Sequence, residues 1–146
     1  MNSLPQQFLI SGTVLFLISL LSGFAMPFLA NPRMGVSAHV AGLESGMALW
    51  ALGLMWQRVT LSAGAGRTTQ IVAVAGLYAI FISLFLAALW GTSRATPIAG
   101  AGHQSSAMRE TVVTVLLTGG SLASAVAVSL VLWGLCAWKD GKAFAL

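Results

Sequence analysis

The stretch QIVAVAGLYAIFISLFLAALW, residues 70–90, contains no charged side chain. A bilayer core is about 30 Å thick and requires roughly 20 apolar residues from a helix that crosses it. Because lipid offers no partner for an unpaired backbone amide, a stretch of this kind has to be helical. The segment therefore predicts a transmembrane helix, and it sets the fold class expected for the chain.

Three further apolar stretches have a similar length, at residues 8–30, 36–56 and 111–138. Asn31-Pro32 ends the first of them, and Pro97 lies in the longest predicted loop. The chain is 58% hydrophobic and only 7% charged, whereas soluble domains carry about 25% charged residues. These features predict an all-α integral membrane protein, a single four-transmembrane-helix bundle over residues 1–146, located in the bacterial inner membrane.

The net charge of +4 is spread thinly along the chain and forms no patch of the kind that binds nucleic acid. A basic excess of this kind fits contact with membrane lipid, and its slight bias favours cytoplasmic termini. The first span lacks the basic n-region of a cleaved signal peptide. The single cysteine, Cys136, is predicted to be a buried thiol. Three tryptophans lie at span ends and are predicted to be at the membrane interface, namely Trp56, Trp90 and Trp138. Trp50 and Trp133 lie deeper and are predicted to pack between helices.

Small residues recur at helical spacing and predict close contacts between helices. In lipid, helices associate through close packing and interhelical hydrogen bonds, and glycines allow two backbones to approach. The residues concerned are Gly42 and Gly46 in the second span, Gly12, Ser19 and Gly23 in the first, and Gly119, Gly120, Ser121 and Ser124 in the fourth. Because so small a bundle leaves much of its surface exposed, we also expect a homo-oligomer.

The segment NPRMGVSAHVAGLESGM, residues 31–47, brings a histidine into this apolar setting. At 100° per residue, His39 shares a helix face with Gly42 and Gly46. A porphyrin could lie on such a flat glycine face with His39 as its axial iron ligand. The alternative is a histidine that only forms a hydrogen bond near the membrane interface.

Three other polar residues at membrane depth are candidates for catalysis. Glu44 lies about 140° from His39 around the helix and could serve a neighbouring helix, a second subunit or a cavity. Ser45 is a candidate hydrogen-bond donor to substrate, unless it only bonds its own backbone. Tyr78, the only tyrosine, could donate to a substrate oxygen or transfer a proton, or could be packed with its hydroxyl satisfied.

The loop PIAGAGHQSSAMRE, residues 97–110, carries His103 and lies on the same membrane side as residues 31–35. Arg33, Arg94 and Arg109 share that side and could pair with porphyrin propionates, or could simply anchor the chain at the interface. His103 is a candidate catalytic residue, with solvation as the alternative. No phosphate-binding loop, nucleophile elbow or covalent haem-attachment motif is present, so any haem is expected to be non-covalent.

The segments NPRMGVSAHVAGLESGM, LYAIFISLFLAALWG and PIAGAGH resemble the membrane family of hydroxylaminobenzene mutases. The resemblance runs from the first span to Trp133. It implies an isomerase that converts a small aromatic substrate, an arylhydroxylamine, to an aminophenol, chiefly the ortho isomer. It implies no net redox change and no second substrate.

The segment AHVAGLESGM is also similar, more distantly, to the second helix of styrene oxide isomerases. That similarity implies a trimer holding ferric haem b between subunits, with His39 as the iron ligand. The chain departs from that pattern in two places. Ser45 stands where those enzymes have an asparagine, and Ser83 stands near the place of their tyrosine, so Tyr78 is only an approximate counterpart.

Three other functions stay open on the sequence. The first is an epoxide isomerase of the styrene oxide isomerase type, which would use the same Lewis acidity on another oxygen. The second is a membrane haem protein for electron transfer, with His39 and His103 as its candidate ligands. The third is a small transporter with Glu44 as its proton site, which the lack of an inverted repeat disfavours.

Overall fold

The computed structural model describes residues 3–137, and these contain helices and turns but no strand. Trp138, Lys139 and Lys142, which enter the predictions of topology and span ends, lie outside the described residues. The helices are α1 (Leu4–Ala25), α2 (Pro32–Met55), α3 (Ala63–Trp90), α4 (Pro97–Gly100) and α5 (Ala107–Cys136). Single 3₁₀ turns, Met26–Phe28 and Trp56–Arg58, follow α1 and α2.

The four long helices run alternately up and down and pack mainly on their neighbours in the chain. α2 contacts both α1 and α3, whereas α5 packs almost entirely on α3. A groove of about 190 Å³ therefore separates α2 from α5, and Ala73 and Leu77 of α3 contribute to its lining. The end of the molecule that holds the α1–α2 turn, α4 and the start of α5 is called the α4 end below.

Side-chain caps fix where three of the helices begin, and they place each start several residues before the apolar stretch. Ser62 accepts a hydrogen bond from the Ala65 amide, and Ser106 accepts one from the Arg109 amide. Asn31 caps α2 through the Met34 amide, 3.1 Å away. Capping explains why the helices extend beyond the predicted N-terminal limits of 36, 70 and 111.

The first helix ends earlier than predicted, and the predicted loop contains a helix. α1 stops at Ala25 because Pro27 follows within a 3₁₀ turn. Pro97 begins the one-turn helix α4, since proline is favoured at the first helical position. The Asn31 side chain donates to the carbonyls of Ala99 and Gly100 and so holds α4 against the start of α2.

Three of the helices are long and apolar enough to cross a membrane: the first with its following turn, α3 and α5. The all-helical fold class is therefore confirmed, and the chain has the character expected of a membrane protein. α2 has 24 residues but is more polar, because it carries Arg33, His39 and Glu44. The assignment of α2 as a fourth span stays a prediction.

Glycines bring two pairs of helices close together, as the small-residue pattern predicted. A Cβ atom added to Gly12 of α1 would lie 2.8 Å from the carbonyl oxygen of Gly46 of α2. A Cβ atom added to Gly120 of α5 would lie 2.8 Å from the carbonyl oxygen of Gly76 of α3. Both pairs use backbone-to-backbone approach, which a larger side chain would prevent.

Two predictions about burial are wrong for the isolated chain. Cys136 is exposed, although a buried thiol was expected. Trp133 is 64% exposed, although it was expected to pack between helices. Both side chains lie on the outer face of α5, and α5 has only α3 as a substantial neighbour. Trp50 does pack as predicted, against Phe16 of α1.

Candidate functional site

His39 lies on the second turn of α2 and rests against the backbone of α1. Its ring lies over Gly23, where an added Cβ atom would come within 3.2 Å of Cε1. Its Nδ1 atom is 2.6 Å from the carbonyl oxygen of Ser19. A carbonyl can only accept, so Nδ1 carries the proton and donates to Ser19. Helix rise places the histidine about 10 Å below the α4 end of α2.

This hydrogen bond fixes the ring as the tautomer that suits a metal ligand. With Nδ1 protonated, Nε2 keeps its lone pair, and within residues 3–137 it has no hydrogen-bond partner. Metal-binding histidines usually donate their other ring N–H to a carbonyl or a carboxylate, which orients the imidazole. By its donor chemistry His39 could hold the iron of a haem, if one binds here. Among the described residues, no three His, Cys, Asp or Glu side chains cluster around a metal position.

The glycine face that was expected to carry a porphyrin is not open. A Cβ atom added to Gly42 would overlap Ser19 of α1 and would lie 2.5 Å from the Phe81 ring of α3. Gly46 lies against the backbone of α1 at Gly12 and Phe16. These glycines permit helix packing and do not form a shelf, so that part of the interpretation is wrong for the isolated chain.

The sequence left open whether Tyr78 serves substrate or is packed with its hydroxyl satisfied, and the structure places it as packed. Its hydroxyl donates to the carbonyl oxygen of Ser11 at 2.8 Å and joins α3 to α1. Ser11 and Ser19 are eight residues apart on α1, or about 12 Å along the axis. The phenol and the His39 ring are therefore held at different depths and do not form one site in a single chain.

Glu44 and Ser45 follow each other in the chain but face different surroundings. Glu44 is exposed on the outer face of α2, and no hydrogen bond or ion pair holds it within residues 3–137. Ser45 is buried, 5% exposed, and its hydroxyl makes no hydrogen bond among the described residues. Helix rise places Glu44 about 7.5 Å and Ser45 about 9 Å deeper than His39.

His103 has backbone carbonyls beside both ring nitrogens. Nδ1 is 2.9 Å from the Gly100 oxygen, and Nε2 is 3.1 Å from the Ala30 oxygen. The ring therefore connects α4 to the turn between α1 and α2. Because both nitrogens contact oxygens, His103 is placed as a connector and neither nitrogen is directed toward His39.

The three arginines of the α4 end are all exposed, and none is placed beside His39 by a described contact. Arg33 lies about 120° from His39 around α2 and lines a groove with Thr96 and Pro97. The guanidinium of Arg109 lies 5.6 Å from the centre of the Trp90 ring. Arg94 contributes its amide to a different contact, described next, and its side chain is exposed.

Sequence reasoning missed two residues that position this region. Ser19 supplies the carbonyl that orients His39. The spacing of Gly12, Ser19 and Gly23 had indicated a packing face on the first helix, but not that His39 contacts it. Glu110 is buried, and its carboxylate accepts hydrogen bonds from the amides of Ser93 at 3.0 Å and Arg94 at 2.9 Å. It therefore anchors the chain after α3, which no motif in the sequence signals.

Comparison with known proteins yields one family and two curated relatives. The profile of the styrene oxide isomerase family matches residues 4–136. Hydroxylaminobenzene mutase HabB of Ectopseudomonas oleovorans is 43% identical over 90% of this chain and 81% of its own length. Hydroxylaminobenzene mutase HabA of the same organism is 41% identical over 73% of this chain and 80% of its own. No solved structure matches.

Proposed function

The chain belongs to the styrene oxide isomerase family and is an isomerase, and on that premise we propose that it converts arylhydroxylamines such as hydroxylaminobenzene to 2-aminophenols. The names of the two curated relatives support this substrate class. The resemblance to hydroxylaminobenzene mutases seen in the sequence is confirmed by these relatives. The haem, the exact reaction and the residues that carry it are proposals.

The proposed reaction moves one hydroxyl group within one molecule. The N–O bond of the hydroxylamine breaks, a C–O bond forms at the ortho carbon, and the proton displaced from that carbon is balanced by one gained at nitrogen. Substrate and product have the same atoms and the same number of electrons. The reaction therefore needs no oxidant, reductant or second substrate.

The hydrogen bond between His39 and Ser19 is the observation that carries the proposal for the site. It holds the imidazole with Nε2 free, so that His39 would be able to hold the iron of haem b. Ferric haem bound there would supply a Lewis acid for the hydroxylamine oxygen. The chain's own contribution is to fix the tautomer of His39 through Ser19, with Gly23 leaving room for the ring.

The apolar surroundings of His39 suit an aromatic substrate and limit access of water. Exposed apolar side chains lie close in sequence to Ser19, Gly23 and His39, including Leu20, Phe24, Val36 and Val40. We propose that α2 is the fourth membrane span, since it is long enough and lies between two helices that are apolar enough to cross. The substrate would then reach the site from the lipid of the bacterial inner membrane.

We further propose that the enzyme is a homo-oligomer in which Glu44 is covered by α5 of a neighbouring copy. Glu44 lies about 18 Å from the α4 end, near the middle of the bilayer, where an exposed carboxyl group is costly. Thr118 and Ser121 of α5 lie at a similar depth, are exposed, and make no hydrogen bond within residues 3–137. Within one chain α2 and α5 flank a groove and do not pack closely on each other, so we place the contact between the carboxyl group and these hydroxyls between copies.

A contact of this kind joins different faces of two copies, and it forms a closed ring when the rotation between copies divides a full turn. The trimer that the resemblance implies is one such ring. Cysteines placed at Glu44 and Ser121, in a Cys136→Ser chain, are expected to form disulfides between copies. The matched control is a Glu44 and Thr111 pair, because Thr111 shares an α5 face with Thr118 but lies about 15 Å nearer the α4 end than Ser121. Equal cross-linking of both pairs would contradict the proposed register.

The second candidate is isomerisation of aryl epoxides to aldehydes, and the family profile is the observation that favours it. Both reactions begin at an oxygen bonded to a group beside an aromatic ring. Hydroxylaminobenzene and styrene oxide offered to the same purified protein separate the two. We expect turnover of the hydroxylamine to exceed that of the epoxide by at least about tenfold, since both curated relatives are named for the hydroxylamine.

The test of the proposed site compares the purified protein with its His39→Ala and His103→Ala variants. Unaltered protein is expected to show a Soret band and to form 2-aminophenol. His39→Ala is expected to lose both, whereas His103→Ala keeps the band because His103 contacts backbone carbonyls. A change in iron spin state in a His39→Cys variant would identify residue 39 as the ligand, independently of activity.

Three results would contradict parts of this proposal. A protein without a Soret band that still forms 2-aminophenol would exclude haem and leave proton transfer by other polar residues. A Soret band of the low-spin, six-coordinate kind that is lost equally in both histidine variants would favour the electron-transfer alternative. A protein that loses function in Glu44→Gln and keeps it in His39→Ala would favour the transporter alternative.

A further inference from the structure

A groove of about 480 Å³ lies between the first turns of α1 and α3, at the end of the molecule far from His39. Its volume is within the range of small-molecule sites in proteins. None of the residues proposed for the isomerase reaction contributes to it. The groove is lined by Ser3, Leu4, Gln7, Ala63, Arg67, Gln70 and Ile71.

The upper part of the groove attracts anions. Two helices begin there, and the amides at the start of a helix have no intrahelical partner and carry partial positive charge. Ser62 caps only the Ala65 amide, which leaves the amides of Ala63 and Gly64 available. Arg67 is exposed beside them, and within residues 3–137 it forms no ion pair. The space around Gly64 is open, because a Cβ atom added there would meet nothing within 4 Å.

A second and independent feature lies deeper in the groove. Gln70 is only 9% exposed, and its side-chain amide has no hydrogen-bond partner among the described residues. It follows Ala63 and Arg67 at the spacing i, i+4, i+7, so the three lie on one side of α3. Helix rise places Gln70 about 10 Å below Ala63 and about 4.5 Å below Arg67. The side chain is largely buried, but its amide lines the groove and has no partner, so its position points to a ligand with a hydrogen-bonding group there.

We propose that this groove binds one glycerophospholipid with an anionic headgroup. The phosphate lies against Arg67 and the amides of Ala63 and Gly64, and an acyl ester carbonyl accepts a hydrogen bond from Gln70. The acyl chain leaves the groove past Leu4 and Ile71, which is 54% exposed and apolar. A free phosphate would use only the upper part of the groove, whereas a phospholipid uses the charge, the deeper amide and the apolar lining together.

The test uses the full-length protein, delipidated in detergent and then titrated with phosphatidylglycerol or phosphatidylcholine while bound lipid is counted by native mass spectrometry. Arg67→Gln is expected to weaken retention of phosphatidylglycerol about fivefold, the effect of one basic residue on an anionic lipid, and to weaken phosphatidylcholine less, because its choline group offsets the charge of the phosphate. Gln70→Leu is expected to weaken both lipids, since both have ester carbonyls. Arg58→Gln is the matched control, because Arg58 is exposed at the same end but does not line the groove.

Three results would overturn the proposal. Equal losses in Arg67→Gln and Arg58→Gln would show a diffuse basic surface. Retention of both lipids at full strength in Gln70→Leu would exclude the proposed hydrogen bond from Gln70 to the ester carbonyl. Displacement of phosphatidylglycerol by millimolar inorganic phosphate would assign the upper groove to a free anion. If Arg67→Gln fails to fold, Arg67→Lys, which keeps the charge and is expected to keep the lipid, decides together with Gln70→Leu.

Discussion

The helix pairs α1–α2 and α3–α5 both pack through glycines that let two backbones approach, but they differ in their side-chain hydrogen bonds. Gly12 meets Gly46 in the first pair, and Gly76 meets Gly120 in the second. The first pair also carries side-chain hydrogen bonds between helices, from His39 to Ser19 and from Trp50 to Thr13. Within residues 3–137, no side-chain hydrogen bond joins α3 to α5. Close packing alone therefore does not indicate a functional site. The polar contacts between α1 and α2 are what make that pair a candidate site.

The largest effect is expected when one methyl group is added to the packed face of each helix pair. Gly42→Ala places a Cβ atom against Ser19 and 2.5 Å from the Phe81 ring, so α1 has to shift and the carbonyl that orients His39 moves with it. Misplacement by about 1 Å can cost on the order of a hundredfold in rate. We expect activity per folded protein to fall by at least about tenfold, measured as 2-aminophenol formation.

Gly120→Ala is the matched substitution in the other pair. Its Cβ atom would lie 2.8 Å from the Gly76 carbonyl oxygen and 3.0 Å from Ala79 Cβ. Overpacking of this kind costs about 1–3 kcal/mol in stability, and we expect activity per folded protein to stay within about twofold. Gly119→Ala, where nothing lies within 4 Å, controls for the added methyl group itself. Equal loss of activity in the Gly42 and Gly120 variants would remove the distinction between the pairs.

The sequence was sufficient to predict the helices and the small residues at their contacts, because apolar length and small-residue spacing are local properties. It was not sufficient to predict which helices contact each other. The interpretation of Gly42 as a cofactor shelf failed because the spacing shows which residues share a face and not which helix covers that face. Likewise, Cys136 and Trp133 lie in an apolar stretch, but only the placement of α5 on the outside of α3 shows that they are exposed.

The candidate site was predicted in part. His39 could be singled out because a histidine at membrane depth is rare and costly. Its orientation could not, since the acceptor is the backbone carbonyl of Ser19, twenty residues earlier in the chain. A backbone acceptor has no sequence signature. For the same reason the sequence does not predict the hydrogen-bond partners of Tyr78 and His103, which both contact backbone carbonyls of distant residues.

Tyr78→Phe removes one polar contact between α3 and α1. The lost hydrogen bond to the Ser11 carbonyl is expected to cost about 0.6 kcal/mol, the average for a side-chain hydrogen bond inside a membrane protein. The phenol is held away from His39, so we expect kcat to change by less than about twofold. A catalytic phenol would instead cost on the order of a hundredfold or more. Steady-state kinetics and unfolding in detergent measure the two effects separately.

The smallest effect is expected at Ser124, on the α3–α5 side of the comparison. Its hydroxyl is buried against Gly76 and has no hydrogen-bond partner among the described residues. Removing an unsatisfied buried hydroxyl relieves the cost of keeping it from a partner, so Ser124→Ala is expected to leave the free energy of unfolding unchanged or to raise it by up to about 1 kcal/mol. Ser19→Ala is the matched control on the α1–α2 side, where the hydroxyl donates to the Leu15 carbonyl at 2.7 Å. A clear loss of stability in Ser124→Ala would mean that the hydroxyl has a partner in the assembled membrane protein, and the α3–α5 pair would then be more than a packing contact.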